Sequence, residues 1–132
     1  GFPIHYSGYV EDDLRLRLLY AAADLMVVPS RQEAFGQTAS EAQACGTPVV
    51  AFRTCGLTDV VIDGVTGVLA EPFDPNSLAT AIASLLSDRK RSLQLGAAAR
   101  KRAERLWSSY TVAEQYSQIY TQASNRIKSK QV

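Results

Sequence analysis

The chain has 132 residues, of which 46% are hydrophobic and 20% charged, so its composition is that of a folded globular domain rather than a disordered segment. It contains no apolar run close to the roughly 20 residues that a transmembrane helix requires. The net charge of +1 conceals an asymmetry, because residues 1–88 hold 4 basic and 11 acidic side chains, whereas residues 89–132 hold 10 basic and 2 acidic ones.

The first part of the chain predicts a strand, a helix and a second strand. Residues 4–10 have the pattern of a strand, and the acidic residues that follow favour the start of a helix over about 13–23. The expected buried stripe of that helix consists of Leu14, Leu18, Leu19 and Ala22. Residues 25–28 form a continuous apolar run that stops at Pro29, which is typical of a parallel strand covered on both faces.

The rest of the chain continues this alternation of helices and strands. Helices are expected over about 38–45, 75–87, 89–105 and 110–127, a helical turn over 57–62, and strands over 48–52 and 68–70. Gly46 is typical of a helix end, and the pair Asp74-Pro75 of a helix start. The apolar stripe of the last helix is expected at Val112, Tyr116, Ile119 and Ala123.

Such alternation predicts an α/β fold with a Rossmann-like parallel sheet, flanking helices and additional C-terminal helices. Four strands are few for a doubly wound domain, so we expect this segment to lack the first strands of its sheet. The whole chain, residues 1–132, is then one partial domain. An incomplete sheet leaves an open edge strand, and we expect the isolated segment to self-associate for that reason.

Residues 29–41 carry the most informative chemistry. They follow the apolar run and open a helix, and the carboxyl ends of parallel strands are where open α/β sheets bind ligands. Backbone N–H groups at such a helix start favour a phosphate or another anion, and Gly36 lets a ligand approach the backbone closely. Glu33 and Glu41 frame the segment, and ionised carboxylates accept hydrogen bonds, which suits the vicinal hydroxyls of a sugar or a ribose.

A purely structural explanation of both glutamates is also available. Ser30 precedes Glu33 by three residues, and Thr38 stands in the same relation to Glu41, so both pairs fit the capping-box pattern of a helix start. On the residue pattern alone, helix capping and ligand binding stay open for either glutamate.

The same segment resembles the E-x7-E motif of the group 1 retaining glycosyltransferases of the GT-B fold, which use nucleotide-sugar donors. The spacing from Glu33 to Glu41 matches, and further segments match in the family's order along nearly the whole chain. These segments are Ser7-Gly8-Tyr9-Val10, Tyr20-Ala21-x-Ala23-Asp24, Pro29-Ser30, Phe35-Gly36, residues 41–51, Asp63-Gly64-x-Thr66-Gly67 and Tyr116-x-x-x-Tyr120. A lone E-x7-E would be weak evidence, whereas this ordered set is specific.

The resemblance implies a role for each residue of the motif. Glu41 is expected to hold the ribose hydroxyls, and Glu33 to be the catalytic residue that contacts the transferred sugar ring. The residues expected to meet the donor sugar and the diphosphate are Ala34, Phe35, Gly36, Gln37 and Thr38. Tyr9 and Val10 correspond to positions that line the base pocket. The helix at 110–127 is expected to cross back towards an N-terminal domain, and no metal or other cofactor is expected.

The chain departs from the family pattern at several positions. Ala34 and Cys55 stand where family members usually have glycine. Members grip the diphosphate with an arginine and a lysine from earlier strands, but the basic residues before Glu33 are Arg15, Arg17 and Arg31, none of them in that context. We therefore expect the isolated segment to bind donors weakly and to catalyse no transfer.

By this resemblance, the chain is the donor-binding part of a hexosyltransferase-type enzyme that moves a sugar from a nucleoside diphosphate sugar to an acceptor hydroxyl, as in polysaccharide biosynthesis. The acceptor, a glycan, lipid or small molecule, is expected to bind through the N-terminal domain. One alternative is a non-catalytic nucleotide-sugar-binding or scaffolding remnant. A more remote one is a receiver-like signalling module, but Asp24 precedes its apolar strand instead of following it.

Other chemistries have little support. Cys45 and Cys55 form no CxxC pair and His5 is the only histidine, so neither a zinc site nor a Ser-His-Asp or Cys-His centre is expected. A reduced, cytoplasmic setting is the default for two free thiols. The basic residues 89–132 fit a solvated helical face, and they also fit contact with phosphates, an acidic partner or lipid headgroups at the inner face of the membrane. No nucleic-acid partner is expected.

Overall fold

The fold is built on a three-stranded parallel sheet. In the computed structural model, which describes residues 1–129, the strands are β1 (Met26–Val28), β2 (Val49–Phe52) and β3 (Gly67–Ala70), in the spatial order β1-β2-β3. Val27 pairs with Val50, and Val50 with Val68. All three strands therefore end at the same edge of the sheet, and the predicted α/β fold is confirmed. Residues 130–132, the end of the basic segment, lie outside the described residues.

Helices connect and follow the strands. Their bounds are α1 (Asp13–Ala22), α2 (Gln37–Ala44), α3 (Leu57–Val60), α4 (Pro75–Ser87), α5 (Arg89–Trp107) and α6 (Ser109–Ser129). Every helix that the sequence predicts is present, with bounds that differ from the expected ones by a few residues. None of the helices within the described residues combines the length and the apolar character needed to cross a bilayer.

The core lies on both faces of the sheet, because alternate residues of each strand point to opposite sides. On one face the buried residues come from the strands, α2 and α3, and they are Val28, Ala39, Ala42, Val49, Ala51, Leu57, Val60, Val61 and Leu69. On the other face they come mainly from the strands, α4 and α5, and they are Val50, Phe52, Ala70, Ala81, Leu85 and Leu95. All four residues of β2 are buried, as its continuous apolar sequence predicts for a central parallel strand.

Local signals set the helix ends. The side chain of Asp12 caps the start of α1, and that of Asp74 caps the start of α4, where proline is the first helical residue. Gly46 follows α2 with φ of 83°, and the N–H of Thr47 donates to the carbonyl of Ala42 at 3.0 Å. This is the Schellman arrangement that glycine favours after a helix, so the expected end of α2 is confirmed.

The strand predicted over residues 4–10 is wrong. Residues 1–12 contain no regular secondary structure, and Phe2, Ile4 and Tyr6 are exposed. A strand exists only where a neighbour takes up its backbone hydrogen bonds, and β1 pairs with β2 on one side alone within the described residues. The alternating side chains of this segment therefore have no sheet face to cover.

The predicted buried stripe of α1 is also wrong. Leu14, Leu18 and Leu19 are 60%, 61% and 42% exposed, and no residue of the helix is fully buried. The inward-facing side chains are Leu16 and Tyr20, which are half-buried against the rest of the fold. A sequence gives the spacing of apolar residues on a helix, whereas the position of the neighbouring α2 decides which of them it covers.

The stripe predicted on α6 forms but is left largely uncovered. Val112 is half-buried near the contact of α6 with α5, whereas Tyr116 and Ile119 are 58% and 60% exposed. The rings of Tyr116 and Tyr120 stack with their centroids 6.4 Å apart. The described part of this helix thus presents an apolar face that the rest of the fold does not cover, and its packing against another domain stays a prediction.

The turn before β3 is held by two side chains, Asp63 and Thr66, of a segment that matches the family pattern. Asp63 accepts hydrogen bonds from the Leu69 N–H at 2.9 Å and from the Arg53 guanidinium at 2.6 Å. Burial alone raises the pKa of Asp63, but these bonds outweigh it and hold the pKa below its usual value. The buried hydroxyl of Thr66 accepts from the Ile62 N–H at 2.9 Å. The Asp63 to Gly67 segment of the family pattern therefore serves the fold here.

Helix α5 approaches the end of α2 more closely than a side chain would allow. A Cβ atom added at the buried Gly96 would overlap the carbonyl oxygen of Gly46 and lie 3.3 Å from Cδ of Pro48. Glycine in a helix interior costs about 1 kcal/mol relative to alanine. The close approach of two backbones is the physical reason for glycine at this position.

We expect Gly96→Ala to destabilise the chain by about 1–3 kcal/mol, because relief of the overlap must push α5 away from Gly46. Urea unfolding measures the change. The exposed neighbour Ala97 provides the control, since Ala97→Gly should cost only the helix preference, about 1 kcal/mol. A gain in stability for Gly96→Ala would contradict the close packing.

Candidate functional site

The loop between β1 and α2 lies at the carboxyl edge of the sheet. It runs from Pro29 to Gly36, and α2 begins at Gln37. Gly36 is the residue that precedes the helix and has φ of 95°, in the left-handed region that favours glycine. A Cβ atom there would also lie 3.0 Å from Cδ2 of the buried Leu57. The backbone and the packing therefore require this glycine even before a ligand is considered.

The start of α2 has no side-chain cap. The residue that precedes the helix is a glycine, and the first helical bond runs from the Ser40 N–H to the Gly36 carbonyl at 3.0 Å. Gln37 and Thr38 are exposed residues, and their N–H groups come before that bond, so they have no partner inside the helix. Together with the helix dipole, they make the end of the loop attractive to an anion.

The capping explanation of the two glutamates does not hold. No helix begins at Ser30, which excludes a capping role for Glu33. Thr38 is the second residue of α2 rather than the residue before it, so Thr38 and Glu41 do not form a capping box. The glutamate carboxylates are therefore left without a structural role at a helix start.

Glu41 lies one turn into α2, with an exposed side chain between two grooves. Its carboxylate accepts a hydrogen bond from the Tyr20 hydroxyl at 3.1 Å. The groove between α1 and α2 has a volume of about 350 Å³ and is lined by Asp13, Leu16, Arg17, Tyr20, Glu41, Ala44 and Cys45. The groove between α2 and α5 has a volume of about 290 Å³ and is lined by Ser40, Glu41, Ala44, Ala103, Glu104, Trp107 and Ser108. A ligand at the start of α2 can reach this carboxylate from solvent.

Glu33 and Ala34 are held in place by the turn after β2. The Gly56 N–H donates to the Glu33 carbonyl at 3.0 Å, and a Cβ atom at Gly56 would lie 2.7 Å from the Cα of Phe35. The hydroxyl of Thr54 donates to the Ser30 carbonyl at 3.4 Å. These contacts fix the backbone of the loop and leave the half-buried Glu33 side chain free for a ligand.

The residue before Gly56 is under backbone strain. Cys55 has φ of 41°, in the left-handed region, although it is not a glycine. The family pattern has glycine at this position, and glycine would adopt this left-handed backbone without strain. The thiol of Cys55 is exposed.

The end of α5 supports the loop from the other side, a contact that sequence reasoning missed. The Trp107 ring meets Phe35 edge to face, with centroids 5.7 Å apart. Arg102 lies over the same indole at 4.8 Å and donates to the carbonyls of Val60 and Asp59 at 3.0 and 2.8 Å. The only hint of this contact in the sequence is that the single tryptophan of the chain stands near the end of a predicted helix. Phe35 is thereby oriented at the mouth of the site.

Arg31 is the cation of the motif loop. Its guanidinium lies over the ring of Phe73 at 5.5 Å, on the loop that follows β3. Phe73 is another non-glycine residue in the left-handed region, with φ of 61°, and its ring also contacts Phe52. Arg31 thus adds a positive charge at the same edge of the sheet, in a position that the family pattern does not assign.

The structure does not bring all predicted site residues together. Residues 33–38 and Glu41 form one continuous region at the start of α2, whereas Tyr9 and Val10 lie in the irregular N-terminal segment. Tyr9 is 89% exposed. The base-pocket role of these two residues stays a prediction. Across the described residues, no three His, Cys, Asp or Glu side chains lie close enough together to hold a metal ion.

A parallel α/β sheet with an uncapped helix start at its carboxyl edge defines a domain suited to phosphate-containing ligands. The family model of the group 1 glycosyl transferases matches residues 3–102. The chain belongs to this family, as the ordered motifs predicted.

Named relatives agree with this assignment. The chain is 45% identical over 113 residues to the D-inositol 3-phosphate glycosyltransferase of Xylanimonas cellulosilytica, covering 85% of this chain and 27% of that protein. Sucrose-phosphate synthase from Thermosynechococcus elongatus matches with a TM-score of 0.80 and 42% identity, over 85% of this chain and 28% of that one. Anabaena HepE, solved in complex with UDP-glucose, matches with a TM-score of 0.76 and 30% identity, over 81% and 30%. The chain thus spans less than a third of each of these proteins.

We expect Cys55→Gly to stabilise the chain, because left-handed backbone costs a non-glycine residue about 1–2 kcal/mol, and the greater flexibility of unfolded glycine offsets only part of that. The net gain should be about 0.5–1 kcal/mol in urea unfolding. Cys55→Ala removes the same thiol without relieving the backbone, so it should give no gain. Equal changes in the free energy of unfolding for the two substitutions would show that the backbone of Cys55 is not strained.

Proposed function

We propose that this chain is the donor-binding part of a retaining glycosyltransferase that transfers a sugar from a nucleoside diphosphate sugar to an acceptor hydroxyl. The observation that carries the proposal is the uncapped start of α2, with two carboxylates, Glu33 and Glu41, that capping does not explain. Family membership and the likeness to a HepE structure that contains UDP-glucose support the choice of donor class.

The proposal assigns one part of the donor to each part of the site. The backbone N–H groups of the exposed residues Gln37 and Thr38 bind the diphosphate, helped by the helix dipole. Glu41, one turn further along, accepts hydrogen bonds from the ribose hydroxyls. Glu33, on the braced loop, contacts the hydroxyls of the transferred sugar, with the backbone of Ala34 and Phe35 beside it.

The chemistry follows from where charge develops. As the bond between the anomeric carbon and the diphosphate breaks, positive charge grows on the sugar ring and negative charge on the leaving diphosphate. Fixed N–H groups at the start of α2 stabilise the leaving group. Glu33 orients the sugar ring and does not attack it, so retention needs no covalent enzyme intermediate, and we propose that no metal ion is needed.

The remaining parts of the reaction belong to the rest of the enzyme. We propose that an N-terminal domain binds the acceptor, a saccharide or a lipid of polysaccharide biosynthesis, and that α6 packs against that domain with its exposed face of Tyr116 and Ile119. We further propose that the enzyme works in the cytoplasm, with the basic face of α5 available for the inner surface of the membrane.

We expect Glu41→Ala in the full-length enzyme to raise the donor KM at least tenfold, because each charge-assisted hydrogen bond is worth about 1.5–3 kcal/mol. Its fold should be preserved, since the side chain is exposed. Glu104→Ala is the matched control: it removes the same charge from the opposite wall of one groove, where Glu104 pairs with Arg100. An unchanged donor KM for Glu41→Ala, or an equal rise for Glu104→Ala, would refute the ribose assignment.

We expect the isolated chain to bind UDP-glucose with a Kd of about 1 mM or weaker and to transfer no sugar. Residues 1–88 contain 11 acidic against 4 basic side chains, and a helix start offers only about half a positive charge against the diphosphate. Titration calorimetry at two salt concentrations measures the binding, with uridine as the phosphate-free control. Micromolar affinity or measurable transfer would show that other residues of this chain make the site.

A further inference from the structure

The hydroxyl of Tyr20 joins α1 to the functional end of α2. It donates to Oε2 of Glu41 at 3.1 Å, across 21 residues of sequence. Tyr20 lies in the last turn of α1 and is half-buried, whereas Glu41 is exposed. An exposed glutamate side chain samples many rotamers, so a bond from a fixed donor limits where its carboxylate points.

The backbone of Tyr20 is fixed by its own contacts. Its carbonyl accepts hydrogen bonds from the Thr47 hydroxyl at 2.6 Å and from the Ala23 N–H at 3.1 Å. Its ring packs against the buried cluster of the sheet face that α2 and α3 cover. The hydroxyl therefore reaches Glu41 from a position that the core sets.

The Tyr20 hydroxyl is a permanent donor. Burial, followed by the hydrogen bond to the Glu41 carboxylate and its negative charge, raises the pKa of Tyr20 to about 12. The phenol thus keeps its proton at neutral pH. A neutral donor satisfies part of the carboxylate without neutralising its charge, so Glu41 still attracts further hydroxyl donors.

We propose that Tyr20 is a positioning residue that holds the Glu41 carboxylate in its ligand-binding orientation, with one oxygen bound to the phenol and the other left for the ribose of the donor. The proposal rests on the ribose role of Glu41 proposed above. In the family pattern, Tyr20 belongs to the segment Tyr20-Ala21-x-Ala23-Asp24, which precedes β1. The hydrogen bond gives it a task at the site that the resemblance did not assign.

The physical gain is preorganisation. A ribose that must first order a free glutamate side chain loses part of its binding free energy to that ordering. Tyr20 orders the side chain in advance, during folding. Its removal should therefore weaken the binding of the donor while leaving the chemistry of the bound donor, which occurs at the sugar, unchanged.

The test is Tyr20→Phe in the full-length enzyme, which removes one oxygen and keeps the buried ring. We expect the donor KM to rise about three- to tenfold, the size of the ordering cost of one side chain, with kcat within about twofold. The midpoint of thermal unfolding should change little. Tyr110→Phe, at an exposed tyrosine of α6, removes the same atom away from the site and should leave KM unchanged.

The decisive comparison repeats Tyr20→Phe in the Glu41→Ala background. If the phenol acts through Glu41, the substitution has no further effect on KM there. An equal rise in both backgrounds, or a fall in kcat with KM unchanged, would overturn the positioning role. If Tyr20→Phe leaves the donor KM unchanged while Glu41→Ala raises it, the positioning role is overturned and the proposed function stands. If Glu41→Ala itself leaves KM unchanged, the ribose assignment is lost and the positioning role with it.

Discussion

The arrangement of this site depends on how closely the turn after β2 approaches the loop after β1. Gly56 donates its N–H to the carbonyl of Glu33, and its missing side chain makes room for the backbone of Ala34 and Phe35. Because two backbones meet without an intervening side chain, the position of the loop is set by peptide geometry. The placement of Glu33 and the start of α2 both follow from this contact.

Neighbouring residues carry the backbone strain that this close contact requires, and others support the loop from the opposite side. Cys55 takes up left-handed backbone so that Gly56 can reach the loop, and this strain persists because the surrounding core holds the turn. From the opposite side Trp107 contacts Phe35, and Arg102 fixes the indole by binding two carbonyls at the end of α3. The loop, which has no secondary structure of its own, is thus supported from two sides.

The electrostatics of the site rest on backbone dipoles more than on cations. No side chain caps α2, so its first N–H groups have no partner inside the helix, and the guanidinium of Arg31 lies over the ring of Phe73. Most basic side chains lie in residues 89–132, whereas 11 of the 13 acidic ones lie in residues 1–88. Under the proposed function, such a site would orient a nucleotide mainly through backbone geometry. The Tyr20 hydroxyl fits the same scheme, since it orders a carboxylate without adding charge.

Sequence alone determined what depends on near neighbours or on an ordered set of motifs. The caps at Asp12 and Asp74 and the helix end at Gly46 were predictable because each involves residues within one turn. The α/β class and the position of the motif at the carboxyl edge of the sheet were predictable for a related reason, since strand and helix patterns are local and the motif between Pro29 and Glu41 is continuous.

Only the tertiary structure decided which surfaces are covered and which distant residues meet. The strand expected at 4–10 failed because pairing needs a partner strand, and the leucines of α1 were misplaced because burial depends on where α2 lies. The bond of Tyr20 to Glu41 and the contact of Trp107 with Phe35 join segments far apart in the chain. No local pattern encodes such pairs, since packing of the whole core sets the distance between their backbones.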